Sequence, residues 1–213
     1  FLYVLSFLVA AALAATGWRM RPARNAMFFS LTALSASIWS LGFTLGFFNT
    51  DLAWKLVALR IEYAGNVGSV VCWTLFVINY LQLDHWLNRR SLPLLLLIPA
   101  VTLVQVFTVE FHALFYKTYS TVEEAGFVRF IKVYGLGFYL WVFYAYTAII
   151  GTSLMLIRGI LHQPSLFRRQ VIPLAASVVL LLIPNFLYIA GRNPIAPYDP
   201  TPLAFTEIGR AHV

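Results

Sequence analysis

The sequence predicts an all-α membrane protein, a seven-helix transmembrane bundle with six complete spans and a truncated seventh. About 20 apolar residues are needed to cross the hydrocarbon core as a helix. Six stretches of roughly that length contain no Asp, Glu, Lys or Arg. The chain is also 61% hydrophobic and 11% charged, a composition that argues against a soluble helical domain.

Each charge-free stretch is rich in Leu, Val, Ile, Phe and Ala on all sides, as suits a helix that faces lipid or other helices. The six stretches are residues 1–17, 26–50, 63–83, 91–109, 133–157 and 170–191. Small residues on the second and third spans favour close helix packing there. These are Ser35, Ser37 and Ser40 on the second span and Gly65, Gly68 and Ser69 on the third.

Basic residues predict the orientation of the bundle. The loops after the first, third and fifth spans hold Arg19, Arg21, Arg24, Arg89, Arg90, Arg158, Arg168 and Arg169, with Asp84 as their acid. By the positive-inside rule these loops are cytoplasmic, so the N-terminus lies outside. The net charge of +7 therefore indicates topology and contact of the chain with the lipid bilayer, and it predicts no nucleic-acid partner.

One outer loop, from Glu110 to Lys132, differs from the others. Its segment 127–133 alternates apolar and polar residues beside a turn that contains glycine. This pattern predicts a small β-hairpin that caps the outside of the bundle. A flexible polar loop is an equally good interpretation of the same residues.

A series of short aromatic, polar and glycine motifs follows the spans. It comprises Arg60-Ile-Glu-Tyr63-Ala-Gly65, Trp73-Thr-Leu-Phe76, Glu110-Phe-His112, Tyr144-Ala-Tyr146, Gly151-Thr152, Ile183-Pro-Asn185 and Asp199-Pro-Thr-Pro. In order and spacing these motifs resemble the N-terminal seven-transmembrane sensor region of bacterial membrane histidine kinases, which is also found on diguanylate cyclases. The resemblance covers nearly the whole chain.

The resemblance implies a receptor of a two-component system in the inner (plasma) membrane. We expect a cytoplasmic output domain in cis, a homodimeric arrangement, no cofactor, and no enzymatic activity in this part of the protein. Residues 1–206 would form the sensor domain, incomplete at both ends. We interpret residues 207–213 as a non-native tail, because 208–213 look like a translated sequencing adapter.

Polar groups near the outer ends of the spans predict a ligand site, because a charge in hydrocarbon persists only with a partner or a role. The candidates are Arg60, Glu62, Tyr63, His112, Tyr139, Tyr144, Asn185, Tyr188 and Asp199. One interpretation is an outward-facing pocket for a small molecule, with aromatic walls. The other is a structural Arg60–Asp199 ion pair within a belt of interfacial tyrosines.

Ligand binding would transmit a signal by favouring one of two packings of the bundle, since only a difference in affinity shifts such an equilibrium. The seventh span would carry the difference inward. Pro173 and Pro184 in the sixth span are candidate hinges, because proline interrupts helical hydrogen bonding.

Three other functions are alternatives to a sensor, and the sequence lacks features that the first two need. A retinal-binding photoreceptor needs a lysine in the seventh span to hold the retinal. It also needs a carboxylate counter-ion in the third span, and the core of that span is free of charge. A transporter or membrane enzyme would place ionisable groups near mid-membrane, where none are predicted. The single Cys72 and four scattered His argue against a metal site. A structural scaffold is the third alternative.

Overall fold

The computed structural model describes residues 2–20, 26–124 and 127–162. This part of the chain forms five α-helices and one two-stranded sheet. In chain order they are α1 (Leu2–Arg19), α2 (Ala26–Phe48), α3 (Leu52–Tyr80), α4 (Ser91–Phe107), β1 (Tyr116–Glu124), β2 (Phe127–Tyr134) and α5 (Leu136–His162). The predicted sixth and seventh spans, Pro173, Pro184 and the 207–213 tail lie outside these residues.

The five helices coincide with the first five predicted spans, so the helical prediction is confirmed for this part of the chain. Three helices are long and apolar enough to cross a membrane: Ala26–Phe48, Leu52–Tyr80 and Leu136–Gly159. The other two, α1 and α4, are apolar helices of 18 and 17 residues. These lengths lie near the lower limit of about 17 residues for a spanning helix.

The predicted start of the third span at Tyr63 is wrong, because α3 begins at Leu52. The prediction required a charge-free stretch, whereas the helix continues through three charged residues. Lys55 donates a hydrogen bond to the Gly46 carbonyl, and Arg60 pairs with Glu110. Since these charges have partners, the helix includes them, and Glu62 also lies inside α3.

Small residues bring α2 and α3 into backbone contact, as predicted. A Cβ atom on Gly65 would overlap the backbone of Trp39, and one on Gly42 would overlap the backbone of Glu62. Gly68 lies against the Ser35 side chain. The absence of side chains at these glycines therefore sets the distance between the two helices.

Serines connect α1 to α2. The Ser6 and Ser40 hydroxyls lie 3.1 Å apart, and Ser37 donates a hydrogen bond of 3.2 Å to the Phe7 carbonyl. Both contacts are buried or partly buried. Hydrogen bonds of this kind join helices where the surrounding lipid offers no polar partner.

Two tryptophans connect α3 to α5. The Trp141 indole donates a 2.9 Å hydrogen bond to the Asn66 side chain, and the Trp73 indole donates one of 3.2 Å to the Thr152 hydroxyl. Since α3 also packs against α2 and α4, it is the central helix of the described bundle.

The outer loop folds as the predicted β-hairpin. β1 pairs antiparallel with β2, with Tyr119 opposite Lys132 and Thr121 opposite Phe130. The Gly135 amide donates to the Phe115 carbonyl, 2.8 Å away, and thereby joins the base of the hairpin to the start of α5. The interpretation as a flexible polar loop is therefore wrong, and a folded cap covers the N-terminal ends of α3 and α5 and the C-terminal end of α4.

The two faces of the hairpin differ in exposure. Tyr116 is buried, and Tyr119 and Phe130 pack against the core formed by α3, α4 and α5. Ile131 and Val133 point away and are exposed. The sequence pattern of β2 predicted a strand but not which face packs on the bundle, and the apolar Ile131 and Val133 lie on the exposed face while Lys132 lies on the other.

Candidate functional site

The candidate residues occupy three elements at or near the hairpin end of the bundle. Arg60, Glu62 and Tyr63 lie in the N-terminal half of α3, His112 lies in the turn after α4, and Tyr139 and Tyr144 lie on α5. The remaining candidates, Asn185, Tyr188 and Asp199, are outside the described part of the chain.

An ion pair connects α3 to the segment that follows α4. Arg60 Nη2 lies 2.5 Å from Glu110 Oε2, and the two side chains are 26% and 43% exposed. Asp199, the predicted partner, is not described. Pairs with this degree of exposure contribute about 1 kcal/mol or less to stability. Glu110 was not predicted as the partner of Arg60, because the sequence does not show which acidic residue of the loops lies next to Arg60.

The same arginine has one nitrogen without a partner. Arg60 Nε is buried, and no atom of the described residues accepts a hydrogen bond from it. An unsatisfied buried donor costs about 1–3 kcal/mol. Arg60 therefore has hydrogen-bonding capacity that its pairing with Glu110 does not use.

Tyr63 is a core residue rather than an interfacial belt residue. The Tyr116 hydroxyl donates a 3.1 Å hydrogen bond to the Tyr63 oxygen, which connects the hairpin to α3. The Tyr63 ring also meets the edge of Phe115, with centroids 4.9 Å apart. Tyr116 was not predicted, because its contact depends on the hairpin folding back over the bundle.

Burial dominates the electrostatics of Tyr116. The side chain is 1% exposed. Desolvation raises the pKa of its hydroxyl well above the usual value, and the neighbouring Tyr63 and Glu62 raise the pKa further. Glu62 itself is partly buried in α3, and it is near enough to the hairpin residue Tyr116 to affect its pKa.

His112 stabilises the turn between α4 and β1. Its Nε2 lies 2.9 Å from the Thr108 hydroxyl, which itself donates to the Val104 carbonyl. The Leu114 amide donates to Nδ1 over 3.4 Å. These partners correspond to the tautomer with its proton on Nε2. Each of these contacts is local, so they position the turn.

Tyr144 lies deeper in the bundle than predicted. Its hydroxyl donates a 2.7 Å hydrogen bond to the Leu95 carbonyl, in the first half of α4 and far from the hairpin. Pro99 is four residues after Leu95 and has no N–H group, so it leaves this carbonyl without its helical donor. Tyr144 satisfies a backbone group that Pro99 frees.

Tyr139 lies at the outer surface, on the first turn of α5. The side chain is 56% exposed. Its ring meets the edges of Tyr134 and Phe138, with centroids 6.4 and 5.6 Å apart. This arrangement suits an interfacial aromatic residue.

Two lysines belong to the outer end of the bundle and were not predicted as site residues. Lys55 is 4% exposed, and its Nζ donates to the Gly46 carbonyl at 2.9 Å. The Nζ of Lys132 lies 5.5 Å from the ring centroid of Tyr116 and 5.2 Å from that of Phe130. The sequence contains one indication that Lys55 belongs to the helix. Lys55, Leu59 and Tyr63 are spaced four residues apart, which places them on one helix face.

This end of the bundle combines charged side chains, hydrogen-bonding groups and aromatic rings. Within residues 2–20, 26–124 and 127–162, no group of three His, Cys, Asp or Glu side chains is arranged to hold a metal ion. Arg60, Glu110, Lys55 and Lys132 supply charges around a wall of Tyr and Phe rings.

Comparison with known proteins agrees with the motif pattern. No curated protein matches the chain. A family model described as the N-terminal 7TM region of histidine kinase matches residues 2–212. The match extends over the described helices and over the segment that contains the predicted sixth and seventh spans. The chain therefore belongs to the family of N-terminal seven-transmembrane regions of histidine kinases.

Proposed function

We propose that this chain senses a small extracytoplasmic molecule at the hairpin end of the bundle. The seventh span would then carry the signal to a cytoplasmic output domain in cis. Its family consists of N-terminal seven-transmembrane regions of histidine kinases, and its apolar helices make it a membrane protein. The ligand, the inner-membrane location and the route of the signal are parts of the proposal.

The observation that carries the proposal is the Arg60–Glu110 pair. It joins α3 to the segment that follows α4, and both side chains are partly exposed. The buried Nε of Arg60 has an unused hydrogen. A ligand that replaced Glu110 as the partner of Arg60 would weaken the connection between the two helices.

Such an exchange of partners would give the ligand different affinities for two packings of the bundle, which signalling by this mechanism requires. A ligand that binds only when the pair is open favours the open packing, and one that binds both packings equally shifts nothing. The central position of α3 supports this mechanism, because a displacement of α3 also affects α2 and α5.

A charge swap distinguishes ligand binding from a purely structural ion pair. We expect the double variant Arg60→Glu with Glu110→Arg to keep the thermal stability of the wild type, since the pair is restored with opposite polarity. We expect it to lose the ligand response. The response is measured as autophosphorylation of the full-length kinase in nanodiscs, while small extracellular metabolites are screened one at a time.

The single variant Arg60→Ala is the companion measurement, and Arg89→Ala on the opposite side is the matched control. Arg89 is exposed in the loop before α4. Arg60→Ala should abolish the response, whereas Arg89→Ala should leave it intact. If the swapped variant responds like the wild type, Arg60 and Glu110 act as structural partners and the proposed site is wrong.

A further inference from the structure

Strand β1 of the hairpin has an edge that no other strand of the described ranges covers. The sheet there consists of β1 and β2, so one side of β1 faces β2 and the other side has no paired strand. Thr118, Ser120 and Val122 along this strand are exposed. The backbone N–H and C=O groups of such an edge can pair with a strand of another molecule.

The packing of the hairpin determines the direction in which this edge points. Tyr119 and Phe130, on one face of the sheet, pack against the core of the bundle. Ser120 and Ile131, on the other face, are exposed. Since one face of the sheet lies on the bundle, the edge of β1 points sideways, toward a neighbouring molecule in the same membrane.

The symmetry of strand pairing fits two copies in one membrane. Two identical strands that pair antiparallel are related by a two-fold axis perpendicular to the sheet. Because the sheet lies flat on the bundle, this axis runs along the membrane normal. Both copies therefore keep the same orientation in the membrane when their β1 edges meet.

The sequence of β1 is complementary in charge to a second copy of itself. If Ser120 lies opposite Ser120 of the second copy, Thr118 lies opposite Val122. The same register places Lys117 opposite Glu123, twice across the interface. It also keeps each face of the sheet on its own side. Opposite charges in facing positions of two strands favour their pairing.

Both charged residues are available for this contact. Lys117 and Glu123 are exposed. Lys117 lies at a bulge of β1 and has no residue opposite it on β2, whereas Glu123 lies opposite the apolar Val128. Neither residue is in an ion pair within the described part of the chain.

The edge of β2 lacks this complementarity. β2 holds two basic residues and no acidic one, so two copies of β2 would bring like charges together. Pairing of β1 with β2 of a second copy would be head-to-tail and would leave an edge open for a third copy. Self-pairing of β1 is therefore the closed arrangement that the charges favour.

We propose that a second copy of this chain binds along the free edge of β1, so that two hairpins form one continuous antiparallel sheet across two bundles. Ser120 lies on the two-fold axis of this interface, with a Lys117–Glu123 pair on each side. The inference goes beyond the sensing function, because it concerns the surface that joins two copies and needs no ligand.

The test is disulfide formation between single cysteines in isolated membranes, with all native cysteines replaced. Facing residues of antiparallel strands have Cα atoms about 4.5–5.5 Å apart, a separation that a disulfide spans. Ser120→Cys should therefore form a covalent dimer when an oxidant is added. Thr118→Cys and Val122→Cys should each stay monomeric, because identical positions would be about 14 Å apart. Co-expressed, these two variants should cross-link to each other.

Ile131→Cys is the matched control. Ile131 lies opposite Ser120 within one hairpin and is also exposed. In the proposed dimer, both β1 strands separate the two Ile131 positions by about 14 Å, so this variant should not cross-link. The proposal is overturned if Ser120→Cys forms no dimer, or if Ile131→Cys cross-links as fast as Ser120→Cys.

Charge reversal tests the register of the two strands. In the Ser120→Cys protein, Lys117→Glu should slow dimer formation by about 5-fold or more, because two like-charge pairs replace two opposite-charge pairs. Addition of Glu123→Lys recreates the opposite pairs and should restore the rate. A double variant that is no faster than Lys117→Glu alone would contradict the proposed interface.

Discussion

At the scale of single residues, the hydroxyl pair of Tyr63 and Tyr116 connects the hairpin to the bundle. Both rings are buried, and the bond between them is 3.1 Å long. A neutral phenol can donate this bond, whereas a phenolate at Tyr116 would place a charge beside Glu62 in a desolvated site. The hydrogen bond that Tyr116 donates to Tyr63 therefore requires a protonated Tyr116.

Replacement of Tyr116 by Phe should change the pH dependence of stability. The pKa of Tyr116 is raised on folding, so above about pH 10 the unfolded chain loses this proton while the folded chain keeps it. Stability of the wild type should then fall by up to about 1.4 kcal/mol per pH unit relative to Tyr116→Phe. Below that pH the wild type should be more stable by about 1 kcal/mol.

The measurement is the free energy of unfolding in mixed micelles between pH 7 and 11. Tyr139→Phe serves as the control, because Tyr139 is exposed and its described contacts are between rings. A constant difference between the wild type and Tyr116→Phe across this range would contradict the assignment of Tyr116 as a buried, neutral donor.

At the scale of elements, α4 and α5 show how a helix in a membrane tolerates an internal proline. Pro99 lies inside α4 and is buried. It leaves the Leu95 carbonyl without a donor, and the Tyr144 hydroxyl supplies one from the neighbouring helix. The pairing of α4 with α5 therefore depends on a defect in the backbone hydrogen bonds of α4.

This dependence predicts coupling between Tyr144 and Pro99. Tyr144→Phe should destabilise the wild type by about 1 kcal/mol, since it leaves a carbonyl unsatisfied in an apolar environment. In a Pro99→Ala background the same change should cost less, because the new N–H group can bond to the Leu95 carbonyl. A double-mutant cycle of unfolding free energies measures the difference. An equal cost in both backgrounds would refute the coupling.

At the scale of the whole molecule, the hairpin and the arginine-rich loop between α3 and α4 lie at opposite ends of the bundle. The C-terminus of α4, the hairpin and the N-terminus of α5 lie at one end. The arginine-rich loop between α3 and α4 lies at the other end. Loop charge alone therefore predicts that the hairpin lies on the outer side.

Cysteine labelling in intact cells tests this orientation. The native Cys72 lies within α3, and Cys72→Ser provides a background without cysteine. In that background, Ser120→Cys on the exposed face of β1 should react with a membrane-impermeant maleimide. His85→Cys, exposed in the opposite loop, should react only after permeabilisation. The reverse pattern would place the hairpin in the cytoplasm and remove the basis for an outer ligand site.

The sequence predicted part of the candidate site, and the reasons for its failures are physical. Span ends and loop charges predicted that Arg60 and Tyr63 lie at one end of the bundle, and the structure places both in the N-terminal half of α3. They did not select Glu110 as the partner of Arg60, because that choice depends on how α3 and α4 are rotated. Lys55 was missed because a charge-free criterion assigned it to a loop, although a backbone carbonyl satisfies its ammonium group inside the helix.

The sequence by itself determined the described helices and their order. A long apolar segment in lipid must satisfy its backbone hydrogen bonds internally, and a helix does so. The period of two in β2 favoured a hairpin and a flexible loop equally, and the structure selected the hairpin. Only the tertiary structure decided which polar groups meet. The Tyr63–Tyr116, Tyr144–Leu95 and Arg60–Glu110 contacts join residues 49–53 positions apart, and side-chain pairing over such separations depends on helix rotation and strand register.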